Sequence, residues 1–261
     1  MAFLTLTSDM GIRDPYIPAL KGWVYSQVPQ TKITDITHQV QRNAIQEAAY
    51  VLRHCIYHFP PQTVHLVSVD IENDATRKQP PYVVTKTEGQ WVIVRNHGLV
   101  SLVAAPDRQV ELVAVLQQDQ TLNPELDIAA PAAVRLLRDG SPEHIEQAAD
   151  PRAHALVELA HQAPTLGERS IRGTVIYTDH YGNAVTNIRR EHLERFEGFP
   201  QISFGPRSII RGISHYYCDV PVGESLSLIN SAGYLEIALH QGQADKLLGL
   251  QVKSLVRIDF V

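Results

Sequence analysis

The chain has 261 residues, 44% hydrophobic and 20% charged, the balance of an ordinary soluble globular protein with one large or two unequal domains. A net charge of -5 with histidine neutral, and no long Lys/Arg run, makes double-stranded nucleic acid a poor partner. Cys55 and Cys218 lie too far apart in sequence to suggest a disulfide framework, the N-terminus does not read as a signal peptide, and no apolar run spans a bilayer. A soluble, cytoplasmic protein is expected.

Phe3 to Thr7 reads as a buried first strand ending in Ser8-Asp9-Met10-Gly11. Asp14-Pro15 opens a helix to about Gln27, with Asp14 expected to cap the free amides and Pro15 suited to the first turn. Lys32 to Thr37 is a second strand. Ile45, Ala48, Ala49, Leu52, Cys55 and Ile56 follow a 3.6-residue period, so a helix starts near Asn43 and stops at Pro60-Pro61. Val64 to Val69 is a third strand. Pro81 to Thr85 and Trp91 to Val94 flank Glu88-Gly89-Gln90 as a hairpin, and Val110 to Leu116 is one more strand. Ile128 to Arg138 is helical until Asp139-Gly140. This alternation predicts an α/β domain with a mostly parallel sheet, ending near Gly167.

From Arg172 the rhythm changes. Short strands at Gly173–Thr178, Ala184–Asn187, Gln201–Phe204, Ser225–Asn230, Tyr234–Ala238 and Lys253–Phe260 are separated by Gly, Asn and Pro, which predicts a small β-barrel or sandwich. The expected division is therefore 1–167 and 168–261.

Several polar groups follow strand-like runs, where α/β proteins keep their sites. Asp9 can accept two sugar hydroxyls, or serve as an ordinary turn aspartate. Asp70 and Arg77 can form a charged pair across a polar loop, in a cleft or on the surface. In Arg95-Asn96-His97-Gly98, His97 can act as a base and Asn96 can recognise a base edge or carboxylate; His38 is equally ambiguous. Asp179-His180-Tyr181-Gly182-Asn183 and Asn230-Ser231-Ala232-Gly233-Tyr234 suit a zwitterionic or heteroaromatic ligand, or plain hairpin turns. No Walker loop, HExxH, GxSxG, dinucleotide fingerprint or metal-ligand cluster is present.

Jointly these blocks resemble the S-adenosyl-L-methionine (SAM) hydroxide adenosyltransferase family, related to fluorinase and chlorinase. The matching blocks are Thr5 to Gly11, Asp14-Pro15-Tyr16, Lys21-Gly22, Ile36-Thr37-His38, Tyr57 to Pro60, Asp179 to Asn183, Thr186-Asn187 and Ile229 to Ala238. The resemblance implies an N-terminal α/β domain followed by a small β-barrel, in a homotrimer with inter-subunit sites. It implies hydrolysis of SAM, as substrate rather than cofactor, to adenosine and L-methionine. Asp9 would hold the ribose hydroxyls, Tyr181 and Asn183 the adenine or nearby ligand atoms, and Asp179 and Ser231 the amino-acid end.

Of the family's Asp-Arg-His set, Asp70 and Arg77 keep their spacing, but the Pro-Gly-Val-Gly interior has become Ile71-Glu72-Asn73-Asp74. Pro124 stands at the histidine position, in Asn123-Pro124-Glu125-Leu126-Asp127, and proline shuttles no proton. Two readings stay open: an active hydrolase in which His97 replaces the lost base, or a catalytically impaired nucleoside-binding or structural relative. Ala232 stands where halide synthases often carry Arg, and nothing in the sequence signals a specialised halide pocket.

Overall fold

The computed structural model describes residues 2–69, 80–104, 109–116, 121–143, 145, 148–205 and 208–261. It divides into two compact units, 1–160 and 161–261.

The first unit runs β1 (Phe3–Ser8), α1 (Tyr16–Gln27), β2 (Lys32–Thr37), α2 (Ile45–Arg53), β3 (Val64–Ser68), β4 (Tyr82–Thr87), β5 (Gln90–Arg95), α3 (Leu99–Val103), β6 (Glu111–Leu116), α4 (Ala130–Asp139) and β7 (Ala148–Ala149). Its sheet has the order β2-β1-β3-β5-β4-β6-β7. The neighbours β2, β1, β3 and β5 are parallel, whereas β4, β6 and β7 join antiparallel, so the sheet is mixed. β3 shows why both faces must be covered. Its Val64 and Leu66 enter a core with Leu4, Leu6, Leu20 of α1 and Ala133 of α4, while Val67 enters another with Leu52 of α2 and Leu99 of α3. Alternate residues of a strand point to opposite faces, so this continuous apolar run builds an α/β sandwich.

The β4–β5 turn is Glu88-Gly89 with φ of 47° and 77°, the left-handed pair that matches the twist of a two-residue hairpin. α4 ends at Gly140, whose φ of 64° lets its amide bond back to the Leu136 carbonyl. The α1 start differs from expectation. Pro15 itself is the N-cap residue and no side chain caps the helix, so Asp14 sits one residue too early to do so. Ahead of α4, residues Glu125–Ala129 form a π-helical turn preceded by Pro124 at φ -64°.

The second unit contains β8 (Thr165–Leu166), β9 (Ser170–Thr178), β10 (Ala184–Arg189), α5 (Arg190–Leu193), β11 (Pro200–Phe204), β12 (Ser208–Arg211), β13 (Ser225–Ile229), β14 (Tyr234–Leu239), α6 (Ala244–Leu247) and β15 (Leu255–Phe260). They form one antiparallel sheet in the order β12-β11-β15-β9-β10-β14-β13, with β8 added beside β9. Ser214 bridges from beyond β12 to Leu228 of β13, and its amide donates to the Ser227 carbonyl at 2.7 Å. The sheet is thus a nearly closed barrel around Ile171, Ile188, Ile202, Leu235, Ile237 and Ile258. Each such fully buried side chain contributes about 1.5–3 kcal/mol.

Candidate active site

Because β2, β1, β3 and β5 are parallel, the residues that follow them lie along one carboxyl edge of the first unit. Ser8 ends β1 and Asp9 follows it, His38 follows β2, Val69 follows β3, and Asn96 and His97 follow β5. Asp70 and Arg77 lie outside the described residues.

Asp9 is half-buried, and its amide donates to the Ser68 carbonyl at 3.3 Å. Next to it, Ser8 Oγ and His38 Nδ1 are 2.8 Å apart, and His38 Nε2 lies 3.1 Å from Asp35 Oδ1. Lys21 donates to the other Asp35 oxygen. Burial alone would raise the Asp35 pKa, but the bonds from Lys21 and His38 outweigh it and hold the carboxyl below its usual range. The His38 carbonyl also accepts the Gly11 amide at 2.7 Å. Gly11 has a φ of 71°, a left-handed backbone that glycine adopts freely. The turn carrying Asp9 is therefore fixed at both ends.

His97 is buried, and its Nε2 donates to the Val69 carbonyl at 2.8 Å, at the point where the chain leaves β3. Asn96 uses its whole amide on the 155–157 segment: Nδ2 donates to the Ala155 carbonyl and Oδ1 accepts the Val157 amide, each at 2.9 Å. Both residues thus brace backbone on this edge.

Between Ser68 and β5 sits a polar cluster outside the residues singled out from the sequence. Glu125, in the first turn of the π-helical segment and 12% exposed, accepts at Oε1 from Ser68 Oγ at 2.9 Å and from the Tyr82 hydroxyl at 2.8 Å. Arg95, 3% exposed, places Nη2 3.8 Å from the same oxygen and stacks its guanidinium 4.5 Å from the Tyr82 ring centroid. Burial first, and then the Glu125 charge, push the Tyr82 phenol far above its ordinary range, so it remains a proton donor.

In the second unit, Asp179 and Asn183 come together directly. Asp179 Oδ1 accepts the Asn183 amide at 2.8 Å, and Oδ2 accepts Asn183 Nδ2 at 3.0 Å. Tyr181, at the tip of that turn, is 74% exposed. Ser231 is exposed on the β13–β14 turn, beside the pairing of Arg189 with Tyr234. Glu236 hydrogen-bonds the β13–β14 turn and feels the charge of Asp179. It is buried, accepts from the Tyr217 hydroxyl at 2.7 Å and from Asn230 Nδ2 at 3.1 Å, and its pKa is raised by burial and by the neighbouring Asp179 charge. The only hint of Glu236 in the sequence is a carboxylate set inside the apolar run Tyr234 to Ala238.

Among the described residues no group of three or more His, Cys, Asp or Glu side chains could hold a metal ion, and no helix is long and apolar enough to cross a membrane.

Comparison with known proteins assigns this architecture. Residues 4–146 match the SAM hydroxide adenosyltransferase N-terminal domain, and residues 173–257 match the SAM hydroxide adenosyltransferase C-terminal domain. The chain is 25% identical to an (R)-S-adenosyl-L-methionine hydrolase of Thermus thermophilus, covering 96% of this chain and 97% of that one. It is 26% identical to a hydrolase of the same name from Methanocaldococcus jannaschii, covering 98% and 95%. An uncharacterized conserved protein from Thermotoga maritima superposes with a TM-score of 0.83 at 25% identity, over 99% of this chain and 100% of the other. With both of its units matched in order, the chain belongs to the SAM hydroxide adenosyltransferase family.

Proposed function

We propose that this protein hydrolyses SAM to adenosine and L-methionine. The observation that carries the reading is the carboxyl edge of the parallel strands, where Asp9 is tied to the end of β3 and His97 to the residue before Asp70. Asp9 holds the ribose hydroxyls. Asp70 and Arg77 align water with the ribose C5′, while His97 holds the Val69 carbonyl just ahead of Asp70. Tyr181 and Asn183 meet the adenine, and Asp179 and Ser231 the amino-acid end.

Water oxygen bonds to C5′ as the C5′–S bond breaks, and its electron pair converts the sulfonium to a neutral thioether. A departing neutral sulfide needs little acid assistance, so alignment and exclusion of bulk water supply much of the rate. The relatives named (R)-S-adenosyl-L-methionine hydrolase support the same substrate.

The protein is taken to act in the cytoplasm as a homotrimer, which sedimentation analysis reads directly. Incubation of the purified protein with SAM, with adenosine followed by chromatography, tests the activity. No adenosine above the buffer rate at high protein concentration refutes it. Pro124 at the histidine position favours a second reading, a nucleoside-binding protein without turnover. That reading predicts adenosine binding by calorimetry and no product.

A further inference from the structure

Resting on the hydrolase reading, we infer that Glu125 is the proton acceptor for the attacking water. A carboxylate withdrawn from solvent costs several kcal/mol unless it is paired and hydrogen-bonded, so its partners need an explanation. Here all of them converge on one oxygen. Ser68 Oγ from β3, Tyr82 OH from β4 and Arg95 Nη2 from β5 all face Oε1. Among the described residues Oε2 takes no hydrogen bond, and the side chain keeps 12% of its surface exposed. The carboxylate is thus fixed through one oxygen and offers the other.

Its position ties it to the rest of the edge. Ser68 donates its hydroxyl to Glu125 and accepts the Asp9 amide at its carbonyl, so a single residue joins the proposed ribose anchor to this carboxylate. Glu125 also opens a π-helical turn, a rare irregularity that is frequent at functional sites. The alternative base, His97, donates from Nε2 to the Val69 carbonyl, which leaves only Nδ1 to take a proton, and that atom is buried. The chemistry balances without any co-reactant. One water proton passes to Glu125 Oε2 as the oxygen bonds C5′, the C5′–S electron pair stays on sulfur, and the proton then leaves to solvent.

The test compares Glu125→Gln and Glu125→Asp with the wild-type full-length protein, measuring adenosine formation from SAM, KM, and adenosine affinity by calorimetry. Gln keeps an oxygen for Ser68 and Tyr82 but accepts no proton. Its kcat should fall by about 100-fold or more, the scale of general-base contributions, with KM and adenosine affinity within about threefold. Asp keeps the charge, shorter by one methylene, and should retain an intermediate rate; it carries the comparison if the Gln variant fails to melt cooperatively. Wild-type kcat in the Gln variant, or in the Asp variant where Gln does not fold, overturns the role of Glu125 and leaves the hydrolase reading standing. No adenosine from the wild-type protein overturns both.

Discussion

The pair of buried Arg95 and largely buried Glu125 makes a quantitative prediction. Replacing Arg95 with Met keeps a long flexible side chain against the Tyr82 ring but removes the charge facing Glu125. At 3.8 Å and an effective dielectric constant of about 20, the lost attraction is about 4 kcal/mol. Leaving one partner of a buried pair uncompensated costs about 3–5 kcal/mol in measured cases, in agreement. The assay is urea unfolding followed by tryptophan fluorescence. Trp23 and Trp91 are the two tryptophans and both lie in the 1–160 unit, so the signal reports the unit that contains the pair. Arg95→Met should lower its stability by about 3–5 kcal/mol. The double variant Arg95→Met/Glu125→Met, which removes both charges, should recover most of that loss. A single-variant loss below about 1 kcal/mol would place the pair among weak surface contacts and refute this reasoning.

Gly98 has a φ of 94°, and a Cβ there would come within 2.4 Å of Leu159 Cγ. Gly98→Ala should therefore destabilise the same unit by about 1–3 kcal/mol in the urea assay, and an unchanged midpoint would contradict it. His65 is fully buried, and burial, only partly opposed by Gln90, pushes its imidazole from 6.5 down to about 4. The unfolded chain thus binds this proton more readily than the folded one. Its contribution is intact above about pH 6.5 and is lost as pH falls from there towards 4, reaching about 3 kcal/mol. His65→Gln should flatten the acid limb of stability in that window; an unchanged slope would show that other groups set it.

Apolar patterning made most of the elements readable, because α2 repeats its apolar residues with a 3.6-residue period while β1, β3 and β5 are short apolar runs. The five-residue α3 and four-residue β12 are too short to carry such a pattern, and the sequence marks neither. The antiparallel half of the first sheet was only partly legible. The β4–β5 hairpin announced itself through Glu88-Gly89, but the pairing of β4 with β6 joins segments with no shared local pattern. Site residues divided in the same way. Asp9, His97 and Asn183 could be named because each follows or precedes a readable strand. Glu125 could not, since its bonds to Ser68 and Tyr82 span 57 and 43 residues, distances over which spacing in the chain says nothing. Glu236 was hidden within a strand motif whose neighbours are all apolar.

The π-helical turn at Glu125–Ala129 has a consequence for how this chain can change. Such a turn accommodates one residue more than an α-helical path between the same points, and each residue of an α-helix advances about 100° around its axis. Deleting a single residue there would let the segment continue α4 as ordinary helix while swinging Glu125 away from Ser68, Tyr82 and Arg95. One codon thus separates a backbone that aims a carboxylate at the strand ends from one that does not.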